Sequence, residues 1–159
     1  MRVKGWCRIM TYKNILIGCD GSPESLNAFK RAIEIAKNND SRLFIANVIK
    51  RQHVNTESVA LGFGIAEIDI DIQDAINQRQ KLLDELKQKA ISSGINEVKT
   101  ILKIGSPKLM LSYDIVNENK IDLEVVGATG LGKVAQVLIG STATFVVENS
   151  KSDVIVVKN

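Results

Sequence analysis

Short apolar runs alternate with segments of helical period along nearly the whole chain. Five runs have the length and composition of strands that are buried on both faces: residues 14–19, 43–49, 98–104, 123–126 and 153–157. Strands that alternate with helices predict a parallel sheet with right-handed crossovers. Such a sheet binds ligands at the carboxyl ends of its strands, where the strand order reverses. The pattern therefore predicts one doubly wound α/β domain.

The segments between the strands carry helix signals of unequal clarity. Ser22 and Pro23 form an N-cap followed by proline, which predicts a helix start. Residues 50–66 have no clean period and predict a loop. Residues 68–90 follow helical spacing, although their first five residues also alternate like a strand. In the next helix, Leu109 is expected on the apolar face, together with Tyr113 and Val116.

Size and charge exclude several classes of protein. The 159 residues fit one domain, predicted at 13–159 after a disordered N-terminal extension at 1–12. The net charge of +3 comes from scattered lysines and arginines, without the basic stripe of a nucleic-acid-binding protein. No apolar run approaches the roughly 20 residues that span a membrane.

Cys7 and Cys19 lack metal-binding spacing and are predicted to be reduced thiols in a cytoplasmic protein. His53, the only histidine, is expected on the surface.

A glycine-rich segment follows the fourth strand and runs from Gly127 to Thr142. Its glycines permit positive φ angles and a close approach of the backbone to a ligand. It ends in Gly140-Ser141-Thr142 at the start of a predicted helix, where free N–H groups and two hydroxyls could bind phosphate oxygens. The segment is therefore a candidate phosphate-binding loop.

Two common phosphate-binding motifs do not fit this segment. A Walker A loop needs Ser or Thr where Val134 stands, so its magnesium-binding hydroxyl is missing. The dinucleotide fingerprint needs a third glycine where Ala135 stands. The spacing that fits is Gly, two residues, Gly, nine residues, Gly, then Ser or Thr, and it is met by Gly127, Gly130, Gly140 and Ser141.

With this spacing the chain resembles the universal stress protein family, in its ATP-binding branch, from Lys13 to Lys158. The resemblance implies a five-stranded, Rossmann-like sheet of the adenine nucleotide α-hydrolase type, with strand order 3-2-1-4-5. It also implies ATP, with Mg²⁺, as the ligand. No catalytic residue and no metal ligand on the protein is implied.

The resemblance places the adenosine moiety near the first two strands. Asp20, which closes the first strand, matches the family's acidic residue beside adenosine. Gly18 and Cys19 take the two preceding positions, where backbone contacts are expected. Val48 matches the residue whose main chain contacts the adenine edge.

The phosphates are placed on the glycine-rich segment. Val126, Gly127 and Gly130 correspond to positions along the path of the ribose and phosphates, and Gly140, Ser141 and Thr142 to positions that bind the phosphates. Within the first glycine pair, Ala128-Thr129 replaces the more usual polar or basic residues.

The last strand, Val154 to Val157, resembles the edge through which family members pair as homodimers. An apolar edge strand that is left unpaired also favours association on physical grounds. Before this strand the chain has Ser152-Asp153, where family members often carry a small residue and a proline.

Several structural interpretations need no ligand. Asp20-Gly21 is a common turn pair, Gly127 and Gly130 could be packing glycines, and Ser141 could be an ordinary N-cap.

Three functions remain open. The first is an ATP-binding stress-response module with at most slow ATP hydrolysis. The second is a dimeric interaction protein of the same fold that does not retain nucleotide. The third is an enzyme of the α-hydrolase type, which would need a Ser-Gly-Gly loop where Asp20-Gly-Ser-Pro23 stands.

Overall fold

The computed structural model describes residues 11–50, 64–129 and 139–158, with the backbone alone for 64–71. The strands are β1 (Asn14–Gly18), β2 (Arg42–Lys50), β3 (Val98–Gly105), β4 (Leu123–Gly127) and β5 (Asp153–Val157). The helices are α1 (Pro23–Asn39), α2 (Gly64–Ser92), α3 (residues 107–119) and α4 (Ser141–Asn149).

The five strands form one parallel sheet in the order β3-β2-β1-β4-β5. This confirms the predicted fold class and strand order. The order reverses between β1 and β4, because the chain first adds β2 and β3 on one side of β1 and then β4 and β5 on the other. The carboxyl ends of β1 and β4 therefore border the crevice in which open α/β sheets bind ligands.

Alternate residues of the strands supply two hydrophobic layers. Ile15 and Ile17 of β1 face the layer that contains Phe29 of α1 and Leu83 of α2. Leu16, between them, faces the opposite layer, together with residues of α3 and α4. Both layers consist largely of apolar side chains, as expected for parallel strands covered by helices on both faces, and Glu124 of β4 is a buried exception.

The sequence predicted the start of α1 correctly but not the start of α2. Ser22 is the N-cap of α1 and its hydroxyl accepts a hydrogen bond from the Ser25 N–H at 3.2 Å, as predicted. Helix α2 begins at Gly64, inside the segment predicted to be a loop. Its first turns are helical, so the strand-like alternation at 68–72 reflects composition alone.

Helix α3 departs from the predicted apolar face at Leu109, whereas Val116 lies in the core as predicted. It consists of Pro107–Leu109, a π-helical turn at Met110–Asp114 and Ile115–Asn119. A π turn inserts one extra residue and rotates the helix before it relative to the helix after it. Leu109 is consequently 50% exposed, and Leu111 lies in the core instead.

Residues 1–10 of the predicted extension lie outside the described residues, and the domain boundary stays a prediction. Tyr12 is held on the domain: its hydroxyl donates to Asp153 Oδ2 at 3.0 Å and its carbonyl accepts from Ser41 Oγ at 2.7 Å. Within the described part of the chain, none of the helices combines the length and apolar character needed to cross a bilayer.

Candidate functional site

The predicted site residues on the strands meet at the point where the strand order reverses. Gly18, the last residue of β1, pairs with Ala46 on one side and with Val126 on the other. Val48 lies two residues beyond Ala46, toward the carboxyl end of β2. The structure thus brings Gly18, Val48 and Val126 together at the carboxyl ends of neighbouring strands.

Gly18 and Cys19 are held tightly by their neighbours. A Cβ atom on Gly18 would lie 3.1 Å from Leu111 Cδ1. The Cys19 N–H donates to the Ala46 carbonyl at 2.8 Å, so it is not available to a ligand. The Cys19 side chain is 2% exposed, and burial raises the pKa of its thiol. Cys19 is a neutral packing residue, and Cys7 lies outside the described residues.

Asp20 occupies the loop between β1 and α1, and its carboxylate takes part in an Asx turn. Its Oδ1 accepts a hydrogen bond from the Ser22 N–H at 3.0 Å. The next residue, Gly21, has φ of 88° and donates its N–H to Ser25 Oγ at 3.2 Å. The turn function considered for Asp20-Gly21 is therefore present, and it fixes the direction of the carboxylate beside the crevice.

Two polar side chains that the sequence analysis did not single out fix this loop. The buried Asn47 donates from Nδ2 to the Cys19 carbonyl at 2.6 Å, and Arg79 of α2 donates from Nη1 to the Asp20 carbonyl, also at 2.6 Å. Asn47 could have been noticed as the one polar residue in an apolar strand centre. Arg79 carries no local signal, because it is one of many polar residues along α2.

Gly127 ends β4 at a very close approach to α1. A Cβ atom at this position would lie 2.8 Å from the Glu24 carbonyl carbon and 2.9 Å from the Ser25 nitrogen. These are backbone atoms that cannot rotate away. Gly127 is not among the positive-φ residues of the described chain, so its glycine serves close packing and not an unusual turn. The packing interpretation of Gly127 therefore holds whether or not a ligand also contacts it.

The two described ends of the glycine-rich segment are joined by a hydrogen bond. The Gly140 N–H donates to the Ala128 carbonyl at 2.6 Å, and the Ala128 N–H donates to the Val157 carbonyl of β5 at 2.8 Å. These bonds bring Gly127 and Gly140 together at the carboxyl end of β4. Gly130 lies outside the described residues, as do the residues up to 138.

Helix α4 begins without a side-chain cap. Its N-cap is Gly140, so Ser141 is the first helical residue, and the interpretation of Ser141 as an N-cap is wrong. The amide groups of Ser141, Thr142 and Ala143 are the ones that a cap would serve. Ser141 is exposed and Thr142 is half-buried. Their hydroxyls and the first-turn amides lie beside the described ends of the glycine-rich segment.

The helix ends that flank the crevice differ in electrostatic character. At α1, Ser22 caps the first turn and Glu24 adds an acidic group. At α4 no side chain of the described residues caps the helix, and its first turn contains no acidic residue. The partial positive charge of a helix N-terminus attracts anions, and an acidic first turn opposes them. On these general electrostatic grounds, the N-terminus of α4 suits an anion better than that of α1.

The described residues contain no cluster of three or more His, Cys, Asp or Glu side chains arranged to hold a metal ion. His53 lies outside the described part of the chain. The fold and the site together define a doubly wound α/β domain with the N-terminus of α4 beside its topological switch point.

Comparison with known proteins gives the family. The model of the universal stress protein family matches residues 11–158. A universal stress protein of Staphylococcus aureus strain USA300 is 35% identical over 153 residues, which are 94% of this chain and 86% of the relative. This chain belongs to the universal stress protein family.

Solved structures agree with this assignment. Universal stress protein UspA from Lactobacillus plantarum has a TM-score of 0.69 at 28% identity, over 93% of this chain and 99% of that one. A universal stress protein crystallised in complex with cAMP has a TM-score of 0.67, also at 28% identity, over 93% and 98% of the two chains. The hypothetical protein MJ0577 has a TM-score of 0.76 at 21% identity, over 94% and 98%, and shows the shared fold.

Proposed function

We propose that this protein is an ATP-binding universal stress protein, a regulatory module whose conformation or partner choice depends on the nucleotide. The observation that carries the proposal is the uncapped N-terminus of α4, which faces the base of the glycine-rich segment. Free amide groups at such an end are a general phosphate-binding feature of proteins.

The placement of the ligand follows from the two helix ends. The phosphates would lie at Gly140, Ser141 and Thr142, away from the acidic first turn of α1. The adenosine moiety would then extend toward the ends of β1 and β2, where Asp20 and Val48 lie. Mg²⁺ would arrive with the phosphates, because this ion is commonly held by phosphate oxygens and water with few protein ligands.

The related structure with cAMP supports an adenine nucleotide as the ligand class, because this chain is 28% identical to it over nearly its whole length. The resemblance of the glycine spacing to that of the family's ATP-binding branch favours ATP over cAMP. Fast hydrolysis is not part of the proposal, since it would need a positioned base and an arginine at the phosphates. A dimeric interaction protein without bound nucleotide is the second candidate.

We also propose a cytoplasmic homodimer. The free and buried Cys19 fits a reducing compartment. The two edge strands of the sheet differ, since β3 carries Lys99 and Lys103 whereas residues 154–157 of β5 are apolar and half-buried. Lysine on an edge strand opposes pairing with another sheet, so β5 is the edge suited to a second copy.

A negative charge placed at the α4 N-terminus should have opposite effects on the stability of the apo protein and on its affinity for nucleotide. Ser141→Asp adds a carboxylate that interacts favourably with the helix dipole, so the apo protein should gain about 0.3–1 kcal/mol of stability. The same charge repels phosphate, so the thermal stabilisation by ATP should disappear. Ser141→Asn is the neutral control of similar size and should retain most of the ATP effect.

The wild-type protein should carry adenine nucleotide after purification, which denaturation and analysis of the supernatant would detect. It should also show a rise in melting temperature with added ATP. A wild-type protein that neither carries nor responds to ATP, ADP or cAMP would support the second candidate. A Ser141→Asp variant that binds ATP normally would show that the phosphates lie elsewhere.

A further inference from the structure

Arg79 connects helix α2 to the loop that follows β1. Its Nη1 donates to the Asp20 carbonyl at 2.6 Å, and the two residues are 59 positions apart in the chain. Arg79 is half-buried, so part of this contact is shielded from water. A hydrogen bond from a charged guanidinium is about twice as strong as one between neutral groups. The bond is therefore a specific link between α2 and the proposed ligand-binding loop.

The packing around Gly21 shows that α2 lies directly on this loop. A Cβ atom on Gly21 would be 3.3 Å from Leu82 Cδ2 and 3.9 Å from Arg79 Nη1. The loop has its own short-range bonds, from the N–H groups of Gly21 and Ser22. Its inner end is fixed at Cys19 by Ala46 and Asn47. Arg79 holds the other side of the loop, through its hydrogen bond to the carbonyl oxygen of Asp20.

We propose that Arg79 is a positioning residue that couples the packing of α2 to nucleotide binding. The proposal rests on the proposed function, because it takes Asp20 to contact the adenosine moiety. Arg79 holds the Asp20 carbonyl and thereby sets the conformation in which the carboxylate is presented. Because coupling between two equilibria is reciprocal, bound nucleotide also stabilises α2 against the domain.

Arginine suits this position better than lysine. Its planar guanidinium has several N–H donors in a fixed arrangement and keeps its charge when partly buried. Lysine has a single flexible ammonium group. Arg79→Lys is therefore expected to keep part of the coupling, and Arg79→Met to lose it.

Hydrogen exchange in the apo protein tests the link without any ligand. In Arg79→Met the amides of Gly21 and Ser22 should exchange about tenfold faster, the factor that corresponds to about 1.4 kcal/mol. Lys81→Met is the matched control, because it removes one positive charge from an exposed position on the same helix. Unchanged exchange in Arg79→Met would show that Arg79 does not hold the loop, and would overturn the proposal.

Calorimetric titration with ATP and with adenosine tests the coupling to the ligand. A residue that acts through Asp20 should affect both ligands alike, so Arg79→Met should raise both Kd values by about tenfold. Arg79→Lys should fall between the wild type and Arg79→Met, and Lys81→Met should bind like the wild type. A loss confined to ATP would mean that Arg79 binds phosphate directly, and would overturn the positioning role.

Other outcomes separate this proposal from the proposed function. A purely structural Arg79 would lower the melting temperature of the apo protein and leave both Kd values unchanged, which would overturn the coupling alone. A wild-type protein that binds neither ATP nor adenosine would overturn both proposals. Amides of residues 72–92 should exchange more slowly with ATP in the wild type, and this protection should be absent in Arg79→Met.

Discussion

The carbonyl oxygen of Ala128 accepts a hydrogen bond of 2.6 Å from the N–H of Gly140 and so closes the base of the glycine-rich segment. Ala128 also donates its own N–H to the Val157 carbonyl of β5. One buried residue therefore connects the proposed phosphate site to the edge strand at which we expect a second copy. The proposed nucleotide site and the proposed dimer contact would therefore share this part of the backbone.

Removal of the Gly140 N–H should open this base. The backbone angles of Gly140, φ −70° and ψ 157°, suit both proline and alanine. Gly140→Pro should lower the free energy of unfolding by about 1–3 kcal/mol relative to Gly140→Ala, because the Ala128 carbonyl loses its partner. Chemical denaturation of both variants measures the difference. Equal stabilities would indicate that the bond contributes little.

A side chain at Gly127 should be far more costly than one at Gly18. The Cβ of Gly127→Ala meets the backbone of α1 at 2.8 Å, whereas that of Gly18→Ala meets the flexible Leu111 side chain at 3.1 Å. Overpacking of this kind costs about 1–3 kcal/mol, and the rigid contact should reach the upper end. Denaturant midpoints of the two variants give the comparison. A larger loss in Gly18→Ala would contradict the packing role of Gly127.

The buried Glu124 should make the free energy of unfolding depend on pH. Glu124 is 1% exposed, and its Oε1 accepts a hydrogen bond from Ser150 Oγ and, at 2.8 Å, another from Ser152 Oγ. Burial raises the pKa of Glu124, and the two serine hydrogen bonds oppose this with smaller effects. The folded protein therefore binds a proton more tightly than the unfolded chain. The contribution of Glu124 to stability is therefore complete at a pH below the ordinary glutamate pKa. It is lost as the pH rises through the raised pKa of the folded protein.

The measurement is denaturant unfolding of the wild type and Glu124→Gln from about pH 4 to about pH 8, across the ordinary range of glutamate. The amide keeps an oxygen for the serines and cannot ionise. The variant should lack the loss of stability toward neutral pH and should equal or exceed the wild type there. Glu97→Gln, at an exposed position, is the control. Parallel pH curves for the wild type and Glu124→Gln would refute the prediction.

The free edge of β5 can be blocked without loss of its pairing to β4. The Asp153 N–H and the Val157 carbonyl both bond toward the β4 side, so by alternation the N–H of Val156 points outward. Val156→Pro should therefore keep the fold and abolish a β5-mediated dimer. Thr100→Pro makes the corresponding change on β3 and should leave the dimer intact. Light scattering after gel filtration reports both masses, and a dimeric Val156→Pro would place the interface elsewhere.

Much of the fold could be predicted from the sequence because the signals are local. Apolar runs defined every strand to within about two residues. The Ser22-Pro23 cap marked the start of α1, and the start of α4 at Ser141 was placed correctly. Leu109 was misplaced because a π turn leaves no pattern in the sequence and alters which residues face the core.

The candidate site also has a part that the sequence predicted and a part that it did not. The sequence by itself determined which segments along the chain are strands and which are helices. It also placed a glycine-rich segment between β4 and the start of α4. Both of these features depend on residues near each other in the chain. Only the tertiary structure showed that Gly127 packs against Glu24, that Gly140 and not Ser141 is the N-cap of α4, and that Arg79 reaches Asp20. These contacts join distant segments, and their geometry is set by how helices pack on the sheet, which no local pattern encodes.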